Sequence, residues 1–221
     1  IQYLIEKNFK GIQFINQNYA HTLPTHKHFR LYDEQWFLPD PQYFNNFKYP
    51  DFQAYHNHVS RLTGEKEINY IIAVKEPYSW YTSFTRLARK KIRPTKRDRW
   101  HTFLRKNVNA HYVIDYNLFY KKWLDFQEES PDNIMIIKYE DVLLEMEKSL
   151  EKVKAQFNLR QKHEGYENLD KVPMSKKFTS DRRDYYVNKL YFNEFTEKEL
   201  FVMTEHMEKE VIEKLGYELY R

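Results

Sequence analysis

The chain has no cysteine and only 4 glycines among its 221 residues. Without cysteine it has no disulfide bonds, no thiolate metal site and no cysteine nucleophile. The few glycines exclude collagen-like repeats and leave little room for glycine-rich nucleotide loops. The sequence also lacks an apolar run long enough to cross a bilayer, and no signal peptide stands at the first residue. We therefore expect a cytoplasmic protein with no membrane partner.

Aromatic residues are abundant, at 18% of the chain, with 19 tyrosines and 16 phenylalanines. A chain of this length fits one domain with a sizeable core, and we expect a single domain over residues 1–221. The formal net charge is +4. A mild positive charge is compatible with an anionic ligand and does not require nucleic acid.

A strand, a tight turn and a helix are predicted in direct succession between Tyr70 and Phe84. The run from Tyr70 to Val74 is apolar without interruption, which is typical of a buried strand in a parallel sheet. Pro77 fits the first turn of a helix, because its missing N–H would have no partner there. Trp80 and Phe84 then follow at helical spacing. Open α/β sheets hold their ligands at such junctions.

Lys75 on the turn and Ser83 in the helix can both face an anion at this junction, and a phosphate suits the arrangement. A solvated lysine on an ordinary turn is the alternative. Lys75-Glu76-Pro77 followed by Ser83 resembles the 3′-phosphate-binding segment of sulfotransferases that use PAPS (3′-phosphoadenosine 5′-phosphosulfate). That segment usually begins with arginine. Lysine keeps the charge but lacks the bidentate fork of the guanidinium group.

A second buried strand is predicted over Ile134–Tyr139, with a helix from Glu140 to about Phe157. Acidic residues are expected at a helix N-terminus because of the helix dipole, so Glu140 and Asp141 need no catalytic explanation. The string Tyr139-Glu140-Asp141-Val142 nevertheless resembles the second sulfotransferase signature. This resemblance implies that Tyr139 lies near the adenine of the nucleotide.

Lys27-His28 resembles the sulfotransferase pair in which a histidine deprotonates the acceptor hydroxyl. The resemblance implies that His28 is the base and that Lys27 offsets charge on the sulfonate group. An imidazole suits this role because its pKa lies near neutrality. His26 is the alternative base, and a solvated loop histidine is the other alternative for both. Zinc is disfavoured because no third ligand follows this pattern, and we expect no metal.

Two basic segments complete the candidate sites. Arg182 and Arg183 resemble the C-terminal basic loop that closes over the 3′-phosphate in many sulfotransferases, although ion pairs with neighbouring aspartates explain them equally well. The stretch 86–106 carries ten Lys or Arg residues against a single acid. This stretch is either a solvated face or a surface for the donor nucleotide, an acidic acceptor or nucleic acid. Few aromatic residues interleave it, which weakens the single-strand-binding interpretation.

The resemblance implies a three-layer α/β/α domain with a central, mainly parallel sheet, as in P-loop kinases and sulfotransferases. Nothing in the chain matches the phosphosulfate-binding loop of that family, and we expect the first strand and this loop upstream of residue 1. A further strand is predicted over residues 11–16. Helices are predicted over residues 1–9, 51–63, 109–129 and 197–215, and the aromatic stripe of the third is read as core.

The expected reaction is sulfonate transfer from PAPS to a hydroxyl of an acceptor, leaving PAP, the desulfonated nucleotide. Lys75 and Ser83 hold the 3′-phosphate in this interpretation. A carbohydrate acceptor is favoured because the chain resembles glycan-type members of the family. Two alternatives stay open. One is a family member that binds the nucleotide but has lost transfer chemistry. The other, less favoured, is a nucleic-acid-binding protein that uses the stretch 86–106.

Overall fold

The computed structural model describes residues 1–12, 49–63, 67–83, 110–169 and 180–220. Residues 77–83 form a helix, which is labelled α3 because it is the third helix in chain order. The other elements, in chain order, are α1 (Gln2–Asn8), β1 (Phe9–Lys10), α2 (Phe52–Thr63), β2 (Tyr70–Val74), α4 (Ala110–Glu129), β3 (Ile134–Lys138), α5 (Tyr139–Leu144), α6 (Met146–Phe157), β4 (Arg160–Gln161), α7 (Ser180–Val187), a 3₁₀ turn (Leu190–Glu194), α8 (Glu197–His206) and α9 (Lys209–Lys214). The protein is therefore mixed α/β, with helices predominating. None of the described helices is both long and apolar enough to span a membrane.

Strands β2 and β3 form a parallel pair, with Tyr70 opposite Ile134 and Val74 opposite Lys138. Strands β1 and β4 form a separate antiparallel pair. A parallel pair needs a long crossover connection, and here α4 is part of it. The parallel pairing confirms the prediction for the apolar run from Tyr70 to Val74. It also brings the carboxyl ends of β2 and β3 to the same edge.

Side chains alternate between the two faces of a strand, so β2 and β3 present apolar side chains on both faces. Helices pack on each of these faces. One face buries Tyr70, Ile72 and Ile134 in a cluster with α2, α4, α8 and α9. The opposite face buries Met135 and Ile137 in a second cluster with α1 and α6. Burial on both faces explains why these strands are almost continuously apolar.

The aromatic stripe of α4 forms the centre of the larger cluster. Four of its side chains are at most 2% exposed: Tyr116, Tyr120, Trp123 and Phe126. The Trp123 ring lies 5.5 Å from that of Tyr55 on α2 and 5.8 Å from that of Tyr70 on β2, measured between centroids. The prediction that this stripe is core is confirmed.

Several predicted boundaries differ from the structure. The helix predicted from Glu140 to Phe157 is two helices, interrupted at Glu145, whose φ is −130° and ψ 58°. Leu143, before the interruption, packs on the larger cluster, whereas Val142 and Met146, on either side of it, pack on the smaller one. The helix predicted over 197–215 is likewise divided between α8 and α9. Of the strand predicted over 11–16, residues 11 and 12 are not in a strand, and the rest lies outside the described residues.

The start of α8 is held by a capping box. Thr196 Oγ1 accepts a hydrogen bond from the Glu199 N–H at 3.2 Å, and Glu199 Oε2 accepts one from the Thr196 N–H at 2.7 Å. Because Thr196→Ala leaves the Glu199 N–H without this partner, we expect it to lower the free energy of unfolding by about 1 kcal/mol. Urea denaturation measures the loss. Thr196→Ser keeps a hydroxyl and is the control, and an equal loss in both variants would contradict the capping explanation.

Candidate functional site

The candidate site lies where β2 and β3 end side by side. A helix follows each strand closely, with α3 starting at residue 77 and α5 at Tyr139. The two junctions are tied together, because Glu140 Oε1 accepts a hydrogen bond from the backbone N–H of Glu76 at 3.2 Å. The two segments that resemble sulfotransferase signatures therefore meet in one place.

Lys75 is the cation at the centre of this site. Its half-buried Nζ donates hydrogen bonds to Ser83 Oγ at 2.5 Å and to the Tyr186 hydroxyl at 2.9 Å. Ser83 Oγ in turn donates to the backbone carbonyl of Ser79, one helical turn earlier, at 2.9 Å. Ser83 thus accepts from the ammonium group while its own proton is directed to the backbone. The predicted pair, Lys75 and Ser83, is in direct contact.

Two tyrosine rings form a wall beside the ammonium group. Lys75 Nζ lies 4.2 Å from the centroid of the Tyr186 ring and 5.3 Å from that of the Tyr139 ring. The two rings are 5.2 Å apart and nearly perpendicular, at 83°. Cations are attracted to the faces of aromatic rings, so both contacts favour the charged lysine. The structure therefore places Tyr139, a sequence-predicted site residue, next to Lys75.

The segment with Arg182 and Arg183 is a helix, α7, and not the loop that the sequence analysis expected. This helix packs against α5 and brings Tyr186 to Lys75. The Arg183 side chain is exposed, and that of Arg182 lies outside the described residues. Tyr186 was missed by the sequence analysis. Its sequence signal was its place four residues after Arg182, in a segment already singled out.

Glu76 is a buried carboxyl beside Lys75, with 6% of its surface exposed. Its Oε2 accepts the Ser79 N–H at 2.8 Å, at the start of α3, and the Tyr191 hydroxyl also bonds to it. Burial raises the pKa of Glu76 from its ordinary 4.5 to about 7, and the nearby Glu140 carboxylate acts in the same direction. Glu76 is thus a proton-binding group at neutral pH that the motif alone does not reveal.

Glu140 has a structural role that the helix dipole did not predict. Besides bonding the Glu76 backbone, its Oε2 accepts the Tyr217 hydroxyl at 2.7 Å. Burial, followed by the charge of Glu140, raises the pKa of Tyr217. Glu140 therefore accepts a phenol O–H on one carboxylate oxygen and a peptide N–H on the other, and the second of these bonds links the ends of β2 and β3.

The backbone of the Lys75 turn is fixed by two buried tyrosines of α4. The Tyr116 hydroxyl donates to the carbonyl of Lys75 at 2.7 Å, and the Tyr120 hydroxyl donates to that of Ala73 at 3.0 Å. The Ala73 carbonyl lies near the end of β2 and that of Lys75 just beyond it, so the two bonds fix this backbone to α4. The position of Lys75 is consequently determined by the core.

The other sequence-predicted residues lie outside the described part of the chain. They are the catalytic pair Lys27 and His28, the alternative base His26, and the basic stretch 86–106. Within the described ranges, no group of three His, Asp or Glu side chains is placed to hold a metal ion.

No protein-family model, curated protein or solved structure matches this chain. Fold and site together define a mixed α/β protein in which a lysine at the carboxyl ends of two parallel strands lies against two tyrosine rings. Any function is therefore inferred from this geometry and from the sequence motifs.

Proposed function

We propose that this protein is a PAPS-dependent sulfotransferase that binds the donor nucleotide at the carboxyl ends of β2 and β3. The observation that supports the proposal is the meeting of Lys75, Ser83 and Tyr139. They come from the two separate segments that resemble the two sulfotransferase signatures. Helices on both faces of the parallel pair are compatible with the three-layer domain that the resemblance implies.

In this proposal the Lys75 ammonium binds the 3′-phosphate. A charge-assisted hydrogen bond is strong when the cation is already oriented, and Ser83 and the two tyrosine rings orient this one. The Ser83 hydroxyl turns from the Ser79 carbonyl to the phosphate when the ligand binds. The Tyr139 ring offers an apolar face to the adenine, since aromatic rings stack well on one another.

The transfer step is an in-line displacement at sulfur. The acceptor hydroxyl oxygen forms the new S–O bond, the bond from sulfur to the 5′-phosphate oxygen of PAPS breaks, and PAP leaves with the bonding electrons. His28 takes the hydroxyl proton and Lys27 offsets the charge on the sulfonate oxygens. Catalysis is mainly positioning and electrostatics, as in phosphoryl transfer, and needs no metal. We propose a carbohydrate as the acceptor.

The test of the nucleotide site is calorimetric titration with PAP. Because a charge-assisted bond contributes about 1.5–3 kcal/mol, we expect Lys75→Ala to weaken PAP binding about 10- to 100-fold. Lys198→Ala removes an exposed lysine from α8 and is the matched control, with affinity unchanged. Failure of the unchanged protein to bind PAP, or equal binding by Lys75→Ala, would contradict the proposal.

A transfer assay with labelled PAPS and a panel of carbohydrates separates the alternatives. Sulfonated product that disappears in His28→Ala supports the full proposal. PAP binding without any transfer indicates a member that has lost the chemistry. Affinity for nucleic acid that falls steeply with salt and is unchanged in Lys75→Ala indicates the nucleic-acid-binding alternative. Such binding depends on many phosphate contacts, which salt weakens.

A further inference from the structure

The Tyr186 hydroxyl shares the Lys75 ammonium with Ser83, although it lies 111 residues further along the chain. Tyr186 is 6% exposed, so its position is set by packing. Its ring is in edge contact with those of Tyr139 and Tyr185, at 5.2 and 5.1 Å between centroids. Tyr185 is anchored by a hydrogen bond from its hydroxyl to Glu194 Oε1 at 2.6 Å. The phenol is thus held against the lysine by the surrounding aromatic residues.

The direction of the lysine–phenol hydrogen bond determines what the phenol can do. An ammonium group has only donors, so the Tyr186 oxygen is the acceptor and the phenol keeps its own O–H proton. Accepting a bond from a cation polarises the phenol and makes that proton a better donor. A phosphate on Lys75 would therefore lie within reach of a cation and of a strengthened O–H donor.

We propose that Tyr186 is a specificity-determining residue that donates a hydrogen bond to the phosphate bound by Lys75, and so selects nucleotides that carry a 3′-phosphate. This inference rests on the proposed function, because it concerns the same site. A ribose hydroxyl in place of the 3′-phosphate carries no charge, so it gains much less from the paired lysine and phenol. The expected ligand class is a nucleoside with a phosphate monoester on its ribose.

Tyr186→Phe tests the inference, because it keeps the ring against Tyr139 and removes only the hydroxyl. Affinities for PAP and for adenosine 5′-monophosphate, which lacks the 3′-phosphate, are measured by competition against a fluorescent PAP analogue. This format reaches weak binders. We expect the PAP affinity to fall about 10-fold and the monophosphate affinity to change less than about 2-fold, since one charge-assisted bond is lost from PAP alone.

Tyr3→Phe is the matched control, because it makes the same substitution at a tyrosine of α1 that is 39% exposed. We expect it to leave the ratio of the two affinities unchanged. Equal losses of affinity for both nucleotides in Tyr186→Phe would overturn the inference. Unchanged or tighter PAP binding would also overturn it, because the phenol would then only occupy the position that the phosphate takes. If the unchanged protein does not bind PAP, the proposed function fails as a whole. If it binds PAP and only the Tyr186 result is negative, the proposed function stands.

Discussion

Glu76→Gln is expected to be about 3 kcal/mol more stable than the unchanged protein at pH 8, but less than about 1 kcal/mol more stable at pH 5. The cause is the burial of Glu76, which raises its pKa from 4.5 to about 7 in the folded protein. Each pH unit between these values corresponds to about 1.4 kcal/mol. Because the folded-state pKa is the higher one, the folded protein holds its proton more tightly than the unfolded chain does.

The direction of the pH dependence follows from this difference. Below pH 4.5 the carboxyl is neutral in both states, and its full contribution to stability is present. As the pH rises toward 7, the unfolded chain loses the proton first, so stability falls. Above about 7 the folded protein must carry a buried charge, and the penalty is complete. Glutamine keeps the shape and the acceptor for the Ser79 N–H but never ionises.

Urea denaturation of both proteins at pH 5 and pH 8 measures the effect. Glu205→Gln, at an exposed position on α8, is the control, and we expect it to change stability by less than about 0.5 kcal/mol at either pH. A stability difference for Glu76→Gln that is the same at both pH values would show that Glu76 ionises in the folded protein without a penalty.

Trp123→Ala is expected to lower the free energy of unfolding by about 3–5 kcal/mol, the usual cost of deleting a buried aromatic ring. Trp123 is fully buried, with 0% of its surface exposed. Its ring contacts α2 and β2 through Tyr55 and Tyr70, so its removal opens a cavity between three elements. The effect is large because packed cores relax only partly around such a cavity.

Two further variants separate the packing of Trp123 from its polar group. The indole Nε1 has no hydrogen-bond partner among the described residues. Trp123→Phe removes this buried donor and keeps much of the ring, so we expect it to cost clearly less than Trp123→Ala. Phe201→Ala, at a position 64% exposed, is the surface control with an expected change within about 0.5 kcal/mol. A loss below about 1 kcal/mol for Trp123→Ala would contradict the core assignment.

Regular elements were predictable where the pattern is local. The uninterrupted apolar run from Tyr70 to Val74 indicated a buried strand, and the aromatic spacing of α4 indicated a buried helix, because burial on these faces requires apolar residues at those positions. The interruption at Glu145 was not predictable. Residues 139–157 carry no proline or glycine to mark a break.

The candidate site, too, was only partly predictable from the sequence. Lys75 and Ser83 were found from the sequence because they are separated by two helical turns on one junction, so their contact depends on local geometry alone. Tyr186 and the Glu76–Glu140 contact were not found. They bring together residues 111 and 64 positions apart, and a single sequence does not record which distant residues meet.

The sequence by itself determined the alternation of apolar strands and aromatic helices and the positive charge at the end of β2, since these follow from local spacing and composition. Only the tertiary structure decided how that charge is used. The parallel pairing of β2 with β3 places Tyr139 beside Lys75, and the packing of α7 against α5 adds Tyr186. Burial of the same junction then turns Glu76 from an ordinary acid into a group that titrates near neutrality, because a carboxylate loses its hydration there.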